Sequence, residues 1–321
     1  MRPQTSPPLV SVVIVSWNAQ SYLTKCLASL NERAFAGPME IIVVDNGSSD
    51  GSPESVEEKF PAVRLICNRE NLGFAKANNI GILNCRGRYV CLVNSDVEVA
   101  EGCIAHLVDY CEQQGDVGMA GPRILGCDGR PQPSCRGFPG VWNMFCSALA
   151  LDTLFPGVRL FSGYSLSSWP QKEPRPVDIL SGCFWLVRRE ALDEVGLLDE
   201  SFFMYGEDMD WCKRFWERGW KVAFVPSAEA THYGGASSSN APTRFFIERH
   251  RADLRYWRKH HSAAGVALYF GITCARLFMR AAGYCLAWVV GRPPRGTCEH
   301  KIHRSLACLG WMLTRGLKRS Q

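Results

Sequence analysis

The chain has 321 residues, of which 46% are hydrophobic, and its net charge is +5; this composition is ordinary for a globular protein with a sizeable core. The first residues, MRPQTSPPLVSVVIVSWN, lack the pattern of a signal peptide, because their apolar run is too short and no small-residue cleavage site follows it. The 15 cysteines form no C-x-x-C pair and no zinc-type spacing, so we expect reduced thiols in a cytosolic setting.

The first third of the chain alternates short apolar runs rich in β-branched residues with segments of helical spacing. Strands are predicted at Val10–Ser16, Glu40–Val44, Val63–Cys67 and Tyr89–Val93, and helices at Ala19–Arg33, from an N-cap at Ser52, and at Ala75–Cys85. Alternation at this spacing predicts an α/β fold, with a doubly wound, mostly parallel sheet of Rossmann-like character.

Polar residues, and one tryptophan, follow these strands. They are Trp17, Asn18, Asp45, Asn46, Asn68, Arg69, Asn94, Ser95 and Asp96. The carboxyl ends of parallel strands meet at one edge of an open α/β sheet, where ligands bind, so we expect these side chains to lie together. Asp96 with Asn94 two residues earlier has the oxygen groups to hold a divalent cation. Taken alone, the stretch favours the plainer interpretation of a strand that ends in a solvated turn, because Asn, Ser and Asp are all common in turns.

Residues 122–180 are rich in Gly, Pro and Ser, which predicts an irregular loop or lid over the site. A strand that runs into a helix is predicted at 177–196, a helix from Glu207 to Gly219, and a final strand at KVAFVPSA. In the Glu207 helix, the apolar spacing predicts that Asp210 faces water. No G-x-G-x-x-G or Walker A motif is present, which argues against a dinucleotide dehydrogenase or a P-loop NTPase.

Glu207 and Asp208 fall in the first turn of their predicted helix, where the helix dipole favours ionised carboxylates. An ionised carboxylate without a salt-bridge partner can act as a general base, although acidic residues also cap helices routinely. His232 is predicted to lie in a loop after the last strand. A histidine there is an ordinary surface residue unless its neighbours make it a metal ligand.

Charge is distributed unevenly along the chain. From Arg244 to the end, 15 Lys and Arg residues stand against three acidic ones, a net +12, while the remainder has 21 against 28. This tail also contains apolar blocks at 263–275 and 281–290, divided by Arg276 and Arg280. Two central arginines are costly in a membrane span, so we expect helices at the surface of an anionic membrane. The alternative is an ordinary amphipathic helix packed on the domain.

Five segments in order carry a resemblance to a known family: SVVIVSWN, EIIVVDNGSSDGS, NRENLGFAKANN, VNSDVEV and MYGEDMDWCKR. Together they resemble the family 2 glycosyltransferases of the GT-A fold, and most closely the bacterial rhamnosyltransferase and galactofuranosyltransferase branch. The resemblance covers about residues 9 to 240. It implies transfer of a sugar from a nucleoside diphosphate donor to an acceptor hydroxyl, with inversion of the anomeric centre and commonly with Mg²⁺ or Mn²⁺.

The resemblance also implies roles for individual residues. Donor-binding residues would be Trp17, Asn18, Asp45, Asn46, Arg69, Asn71, Asn94, Ser95 and Asp96. The metal would be held by Asp96 and His232, and Asp208 would be the catalytic base with Glu207 beside it. The D-x-D motif of the family has Asn94 in place of its first acid here, which puts the metal requirement in doubt.

The domain organisation expected on this basis is a GT-A domain at 1–243 and a membrane-associating tail at 244–321. Within the first, residues 9–121 would form the nucleotide-sugar half and 122–243 the acceptor half. We expect a peripheral enzyme on the cytoplasmic face of the inner membrane, which uses dTDP-rhamnose and a lipid-linked saccharide acceptor for cell-surface polysaccharide, with no nucleic-acid partner. The alternatives are another donor such as a UDP-sugar, or a non-catalytic nucleotide-sugar binding protein.

Overall fold

The computed structural model describes residues 8–30, 33–166, 169–234 and 242–316. Within them the chain forms two compact units. The larger contains residues 8–138, 169–203 and 207–234, and the smaller contains 139–166, 204–206 and 242–316. The expected domain boundaries near residues 121 and 243 stay predictions.

The larger unit contains all the described strands. They are β1 Val10–Ser16, β2 Met39–Asp45, β3 Arg64–Cys67, β4 Tyr89–Asn94, β5 Val97–Val99, β6 Val117–Leu125, β7 Cys135–Arg136, β8 Arg175–Pro176, β9 Ile179–Leu180, β10 Phe184–Arg188 and β11 Lys221–His232. Its helices are α1 Gln20–Ser29, α2 Ser52–Lys59, α3 Phe74–Leu83 and α4 Cys103–Gln113; after α5–α7 of the smaller unit come α8 Arg189–Val195 and α9 Glu207–Glu217.

Nine of these strands form one mixed sheet in the order β3-β2-β1-β4-β10-β6-β11-β5, with β8 paired to β11. The pairs among β3, β2, β1 and β4 are parallel, as is β6 with β11, whereas β10 is antiparallel to both of its neighbours. Strands buried on both faces, such as β1 and β4, read as continuous apolar runs because helices cover the sheet. The predicted α/β fold class is confirmed, as is the existence of a C-terminal helical extension.

The smaller unit is helical. Its helices are α5 Val141–Ala148, α6 Leu151–Leu154, α7 Arg159–Ser162, α10 Pro242–His260, α11 Ala263–Val290 and α12 Arg295–Trp311, followed by a π-helical turn at Met312–Gly316. The two apolar blocks of the tail are joined in the single helix α11. Among the described helices it is the one that is long and apolar enough to cross a membrane by length and composition.

Several local expectations are corrected by the structure. The first helix ends at Ser29, earlier than the predicted Arg33, and α2 is capped by Gly51 in a left-handed conformation instead of by Ser52. Residues 122–180, predicted to be irregular, contain the rest of β6, short helices and short strands. Several of these elements, such as Leu151–Leu154 and Arg175–Pro176, are too short for hydrophobic periodicity to distinguish them from loop.

Candidate functional site

The ends of β1, β2 and β4 meet at one edge of the sheet. Ser16 pairs with Asp45 across β1 and β2, and Val15 pairs with Asn94 across β1 and β4. The predicted convergence of these strand ends is therefore confirmed, because the parallel register brings the last residues of all three strands to the same level. Two groups of polar side chains extend from this edge.

The first group is centred on Asp45, which is buried. Its Oδ2 accepts hydrogen bonds from the backbone N–H groups of Gly47 at 3.1 Å and Ser48 at 2.9 Å. Its Oδ1 is also buried but has no hydrogen-bond partner among the described residues. A buried carboxylate oxygen without a donor costs free energy, so this atom is poised to accept a hydrogen bond from a ligand.

Asn46 is buried beside Asp45 and holds the turn that follows β3. Its Oδ1 accepts from Asn68 Nδ2 at 3.1 Å and from Leu72 N at 3.0 Å. Its Nδ2 donates to Asn71 Oδ1 at 3.0 Å and to Gly73 O at 3.2 Å. These four bonds use the full capacity of a side-chain amide, which favours a positioning role for Asn46 over direct contact with a donor.

Gly73, in the same turn, is required by close packing. It has φ +85°, and a Cβ atom there would lie 2.5 Å from the carbonyl oxygen of Phe203. Phe74 N donates to that same carbonyl at 2.7 Å. Any side chain at position 73 would force the turn away from the backbone at Phe203.

The other residues expected in donor binding lie around this group. Trp17 is half-buried, and Asn18 is exposed at φ +49°. Asn18 joins the loops after β1 and β2, because its N donates to Ser48 Oγ at 2.9 Å and its Oδ1 accepts from Ser49 N at 2.8 Å. Arg69 is exposed in the turn after β3.

The second group begins with Asn94, Ser95 and Asp96 at the end of β4. Asn94 is half-buried, whereas Ser95 and Asp96 are buried. Asp96 Oδ1 lies 3.3 Å from His232 Nε2. His232 is the last residue of β11, not a loop residue as predicted, and it pairs with Val97 of β5, which aligns its ring with Asp96.

Gln132 determines which nitrogen of His232 carries a proton. Its Nε2 donates to the His232 carbonyl oxygen at 2.8 Å, so its Oε1 is the atom that lies 3.1 Å from the ring Nδ1. An oxygen acceptor at that position favours the tautomer with a proton on Nδ1. The Nε2 lone pair of the neutral ring then faces the Asp96 carboxylate.

Two electron-rich atoms at this distance repel each other unless a cation or a proton lies with them. A nitrogen and a carboxylate oxygen are both ligands of divalent cations such as Mn²⁺, and protein sites for Mg²⁺ commonly use one or two carboxylates together with substrate phosphates. Among the described residues no cluster of three or more His, Cys, Asp and Glu side chains could hold a metal. Asp96 and His232 therefore fit a cation that takes its remaining ligands from substrate and water.

Glu207 and Asp208 lie at the start of α9 and are both buried. Contrary to the expectation of a carboxylate without a salt-bridge partner, Asp208 Oδ2 accepts a 2.5 Å hydrogen bond from Arg136 Nη2. Its Oδ1 accepts from Met209 N at 2.9 Å. Asp210, predicted to face water, is also buried, and it forms an ion pair with Arg214 at 2.9 Å.

Glu207 differs from Asp208 in its surroundings. Its Oε2 is buried and has no hydrogen-bond partner in the described part of the chain. Burial, followed by the negative charge of Asp208, raises the pKa of Glu207 to about 8. At neutral pH the pair therefore consists of a mainly protonated Glu207 beside an Asp208 that is bonded to Arg136.

The backbone of Cys183 contacts the end of β4. The backbone N of Asn94 donates to the Cys183 carbonyl oxygen at 3.0 Å. Burial raises the pKa of the Cys183 thiol to about 12, and the charges of Asp96 and Asp208 both contribute. Cys183 directly precedes β10 and lies beside the end of β4.

Arg136, Gln132 and Cys183 were not identified from the sequence. The first two lie in the segment rich in Gly, Pro and Ser, and each reaches its partner over 72 or more positions in the chain. No periodicity or short motif marks such long-range partners.

Comparison with known proteins places this site in a family. The model of Glycosyl transferase family 2 matches residues 11–196. The chain is 32% identical over 265 residues to the N-acetylglucosaminyl-diphospho-decaprenol L-rhamnosyltransferase of Mycobacterium tuberculosis, strains CDC 1551 / Oshkosh and ATCC 25618 / H37Rv. That alignment covers 79% of this chain and 85% of the relative.

Two solved structures share the fold. One is the mannosyltransferase PcManGT from Pyrobaculum calidifontis in complex with GDP-Man and Mn²⁺, which superposes with a TM-score of 0.58 and 17% sequence identity. The superposition covers 98% of this chain and 89% of the mannosyltransferase chain. The other is GalNAc-T7 with UDP, GalNAc and Mn²⁺, with a TM-score of 0.57 and 18% sequence identity; the superposition covers 98% of this chain and 57% of the GalNAc-T7 chain. From the family match and the similarity to the mycobacterial enzyme over most of the chain, we conclude that this protein is a glycosyltransferase of family 2 with the GT-A fold.

Proposed function

We propose that this enzyme transfers rhamnose from a nucleoside diphosphate donor, dTDP-rhamnose, to a hydroxyl group of a lipid-linked saccharide during synthesis of a cell-surface polysaccharide. The observation that carries the proposal is the 32% identity, over 79% of the chain, to a rhamnosyltransferase whose name specifies an N-acetylglucosaminyl-diphospho-decaprenol acceptor. A closely similar lipid-linked diphosphosaccharide is the acceptor that we expect here.

The proposed nucleoside site is the group around Asp45. The unpartnered Oδ1 of Asp45 supports this role, since the N–H of the thymine base or a hydroxyl of its deoxyribose supplies the donor that the atom lacks. Trp17 offers a half-buried aromatic surface for the base, and Asn18, Arg69 and Asn71 lie on the surrounding loops. Asn46 contributes by holding the turn that carries Asn71.

The proposed diphosphate site is at Asn94, Ser95 and Asp96. Asp96 and His232 would hold Mg²⁺ or Mn²⁺ there, and both structural neighbours contain Mn²⁺ in their complexes. When bound, the cation neutralises charge that develops on the leaving diphosphate. Asn94 contributes neutral oxygen and N–H groups in place of a second carboxylate, which lowers the negative charge offered to the cation.

Inversion requires the acceptor oxygen to attack the anomeric carbon from the side opposite the diphosphate. The C–O bond to the acceptor forms as the bond to the diphosphate oxygen breaks, and the acceptor hydroxyl loses its proton to a protein base. We propose Asp208 as this base, because its carboxylate lies at the start of α9 beside Glu207 and its Oδ2 is oriented by Arg136. Glu207, mainly protonated, keeps a second negative charge out of the same buried space.

The proposed location is the cytoplasmic face of the inner membrane, with peripheral attachment through the smaller unit. Apart from Leu83, all the large apolar side chains that are exposed in the described residues belong to that unit. On α11 they include Phe278 and Leu286, which are 63% and 70% exposed. An anionic lipid surface complements both these side chains and the net charge of +12 in the tail.

Incubation of the full-length enzyme with dTDP-rhamnose and an N-acetylglucosaminyl-diphospho-lipid tests the proposal. We expect rhamnosylated lipid, and the stereochemistry of the new bond reports inversion or retention. If a product forms with a UDP-sugar and not with dTDP-rhamnose, the donor is the UDP-sugar and the proposed donor is wrong. Tight binding of a nucleotide sugar without turnover on any lipid acceptor would support the alternative, a non-catalytic binding protein.

A further inference from the structure

The smaller unit contains a group of basic side chains gathered around one aromatic ring. Three helices meet at Phe246 of α10: the Arg280 guanidinium of α11 lies 5.6 Å from the ring centroid, and the Arg304 guanidinium of α12 lies 4.4 Å from it. His250, one turn further along α10, packs edge-on against the same ring with centroids 4.8 Å apart. We name His250, Arg276, Arg280, Lys301 and Arg304 the basic cluster.

The members of the basic cluster repel one another. Burial, followed by the charges of Arg249, Arg276, Arg280 and Arg304, lowers the pKa of His250 to about 4. The charge of Arg304 also lowers the pKa of Lys301. Like charges brought this close destabilise the folded state unless an anion compensates them.

The two arginines nearest to the Phe246 ring lack an acidic partner among the described residues. No ion pair joins Arg280 or Arg304 to an acidic side chain there, whereas the nearby Glu248 is paired with Arg251 at 2.8 Å. The Nε atoms of Arg280 and Arg304 and the Nδ1 atom of His250 are buried and lack hydrogen-bond partners. Three buried nitrogens around one ring, two of them guanidinium donors, thus lack the bonds that buried polar groups normally make.

The missing ligand is an anion with several acceptor oxygens. Arginine guanidinium groups bind phosphate through paired N–H groups, and two of them side by side match a diphosphate. The helices that carry these arginines also expose apolar side chains: Phe278 and Met279 on α11 and Leu306 on α12. A ligand that joins a phosphate group to a hydrocarbon chain could bind both the arginines and the exposed apolar side chains.

We infer that the basic cluster binds a lipid-borne diphosphate, the group that the proposed acceptor carries. This inference rests on the proposed function for the identity of the lipid, but its evidence lies entirely within α10, α11 and α12. The cluster would hold the diphosphate by charge-assisted hydrogen bonds while the hydrocarbon chain lies along the exposed side chains of α11.

The test measures binding of farnesyl diphosphate to the full-length protein in neutral detergent. The double variant Arg280→Gln/Arg304→Gln removes two charges from the cluster, and Arg244→Gln/Arg315→Gln removes two exposed charges elsewhere in the same unit. We expect the cluster variant to bind roughly tenfold or more weakly, the loss typical of charge-assisted hydrogen bonds, and the control to bind as the parent does. Equal affinities for all three proteins, or equal losses in both variants, would overturn the inference.

Thermal unfolding supplies a second readout that does not require activity. Farnesyl diphosphate should raise the Tm of the parent and of the control, but not that of the cluster variant, because only a folded site can be stabilised by its ligand. Without ligand, the cluster variant should be at least as stable as the parent, since it loses two half-buried positive charges that repel their neighbours. A marked fall in its Tm would mean that the arginines are structural and would also overturn the inference.

Two further probes distinguish the sources of phosphate. Vesicles of phosphatidylglycerol in phosphatidylcholine present a membrane headgroup, and inorganic pyrophosphate presents the diphosphate without a lipid. Selective loss of phosphatidylglycerol binding in the cluster variant, with farnesyl diphosphate binding unchanged, would assign the cluster to the membrane and reject the acceptor. If instead the farnesyl diphosphate result holds while the enzyme fails to rhamnosylate any lipid, the proposed function fails and the site stands.

Discussion

Gln132 contacts His232 at two points, through its Nε2 at the backbone carbonyl oxygen and through its Oε1 at the ring Nδ1, at 2.8 and 3.1 Å. The first bond fixes the orientation of the amide, and the second fixes the proton of the imidazole. As a result the ring presents its Nε2 lone pair to Asp96, 3.3 Å away. Gln132 thus controls a proposed metal ligand without contacting the metal itself.

Replacement of Gln132 should therefore weaken metal binding. In Gln132→Ala the ring loses its orienting bond, and loss of such an outer partner typically lowers metal affinity about 10- to 100-fold. Titration of Mn²⁺ in the presence of the donor nucleotide measures this. Gln113→Ala, on the exposed face of α4, is the matched control. Unchanged Mn²⁺ affinity in Gln132→Ala would show that the tautomer of His232 does not matter to the metal.

The two carboxylates at the start of α9 should differ in their kinetic roles. Asp208→Asn should retain donor binding but lower kcat by roughly 10²- to 10⁴-fold, the usual contribution of a positioned base. Glu207→Gln preserves the neutral form that predominates at pH 7, so its effect on kcat should be smaller. An active Asp208→Asn together with an inactive Glu207→Gln would assign the base to Glu207.

Glu207 should also make stability depend on pH. Its pKa is raised from 4.5 to about 8 by burial and by Asp208, so between about pH 5 and 8 the folded state keeps a proton that the unfolded state has released. The free energy of unfolding must then fall as pH rises through this range. Glu207→Gln cannot titrate and should lose less stability over the same range. Urea unfolding at pH 5, 6.5 and 8 compares the two proteins, and parallel curves would contradict the raised pKa.

Asn46 and Asn18 should respond differently to the same substitution. Asn46 uses both donors and both acceptor sites of its amide, so Asn46→Asp places oxygen against the oxygens of Asn71 and Gly73. We expect a loss of about 2–4 kcal/mol in the free energy of unfolding, because a buried charge also loses its solvation. Asn18 is exposed, and in the described structure its side chain bonds through its carbonyl oxygen, so Asn18→Asp should be nearly neutral. Equal losses measured by urea unfolding would refute this distinction.

The sequence predicted the strands that build the site more reliably than the contacts within it. The Val10–Ser16 strand was predicted with the bounds of β1, because an apolar β-branched run has one stable place in a sheet covered on both faces. The same logic located Asp45, Asn94 and Asp96 at one edge. By contrast, the partners of Asp208 and His232 lie 72 and 100 positions away in a segment without periodicity. The helical spacing placed Asp210 on the face of α9 that was expected to meet water. It is buried instead, because residues distant in the sequence cover that face.

Membrane attachment should depend on the exposed apolar face of α11. Leu286 is 70% exposed in the smaller unit, and Leu83 is 72% exposed in the larger unit. Leu286→Glu places a charge where we expect the acyl boundary, whereas Leu83→Glu places the same charge on a surface that we expect to face water. Flotation with vesicles that contain phosphatidylglycerol should therefore show weaker binding for Leu286→Glu than for Leu83→Glu or the parent.

The same attachment should be reversible. Each basic residue near an anionic surface contributes about 1 kcal/mol, and high salt screens that contribution. Arg276 and Arg280 interrupt the apolar sequence of α11, and both would lie near the bilayer centre if the helix crossed the membrane. Washing isolated membranes with high salt or alkaline carbonate should therefore release much of the full-length protein. If the protein resists both washes and is released by detergent alone, α11 spans the bilayer, because only a spanning helix keeps its apolar surface in lipid after the electrostatic attraction is removed.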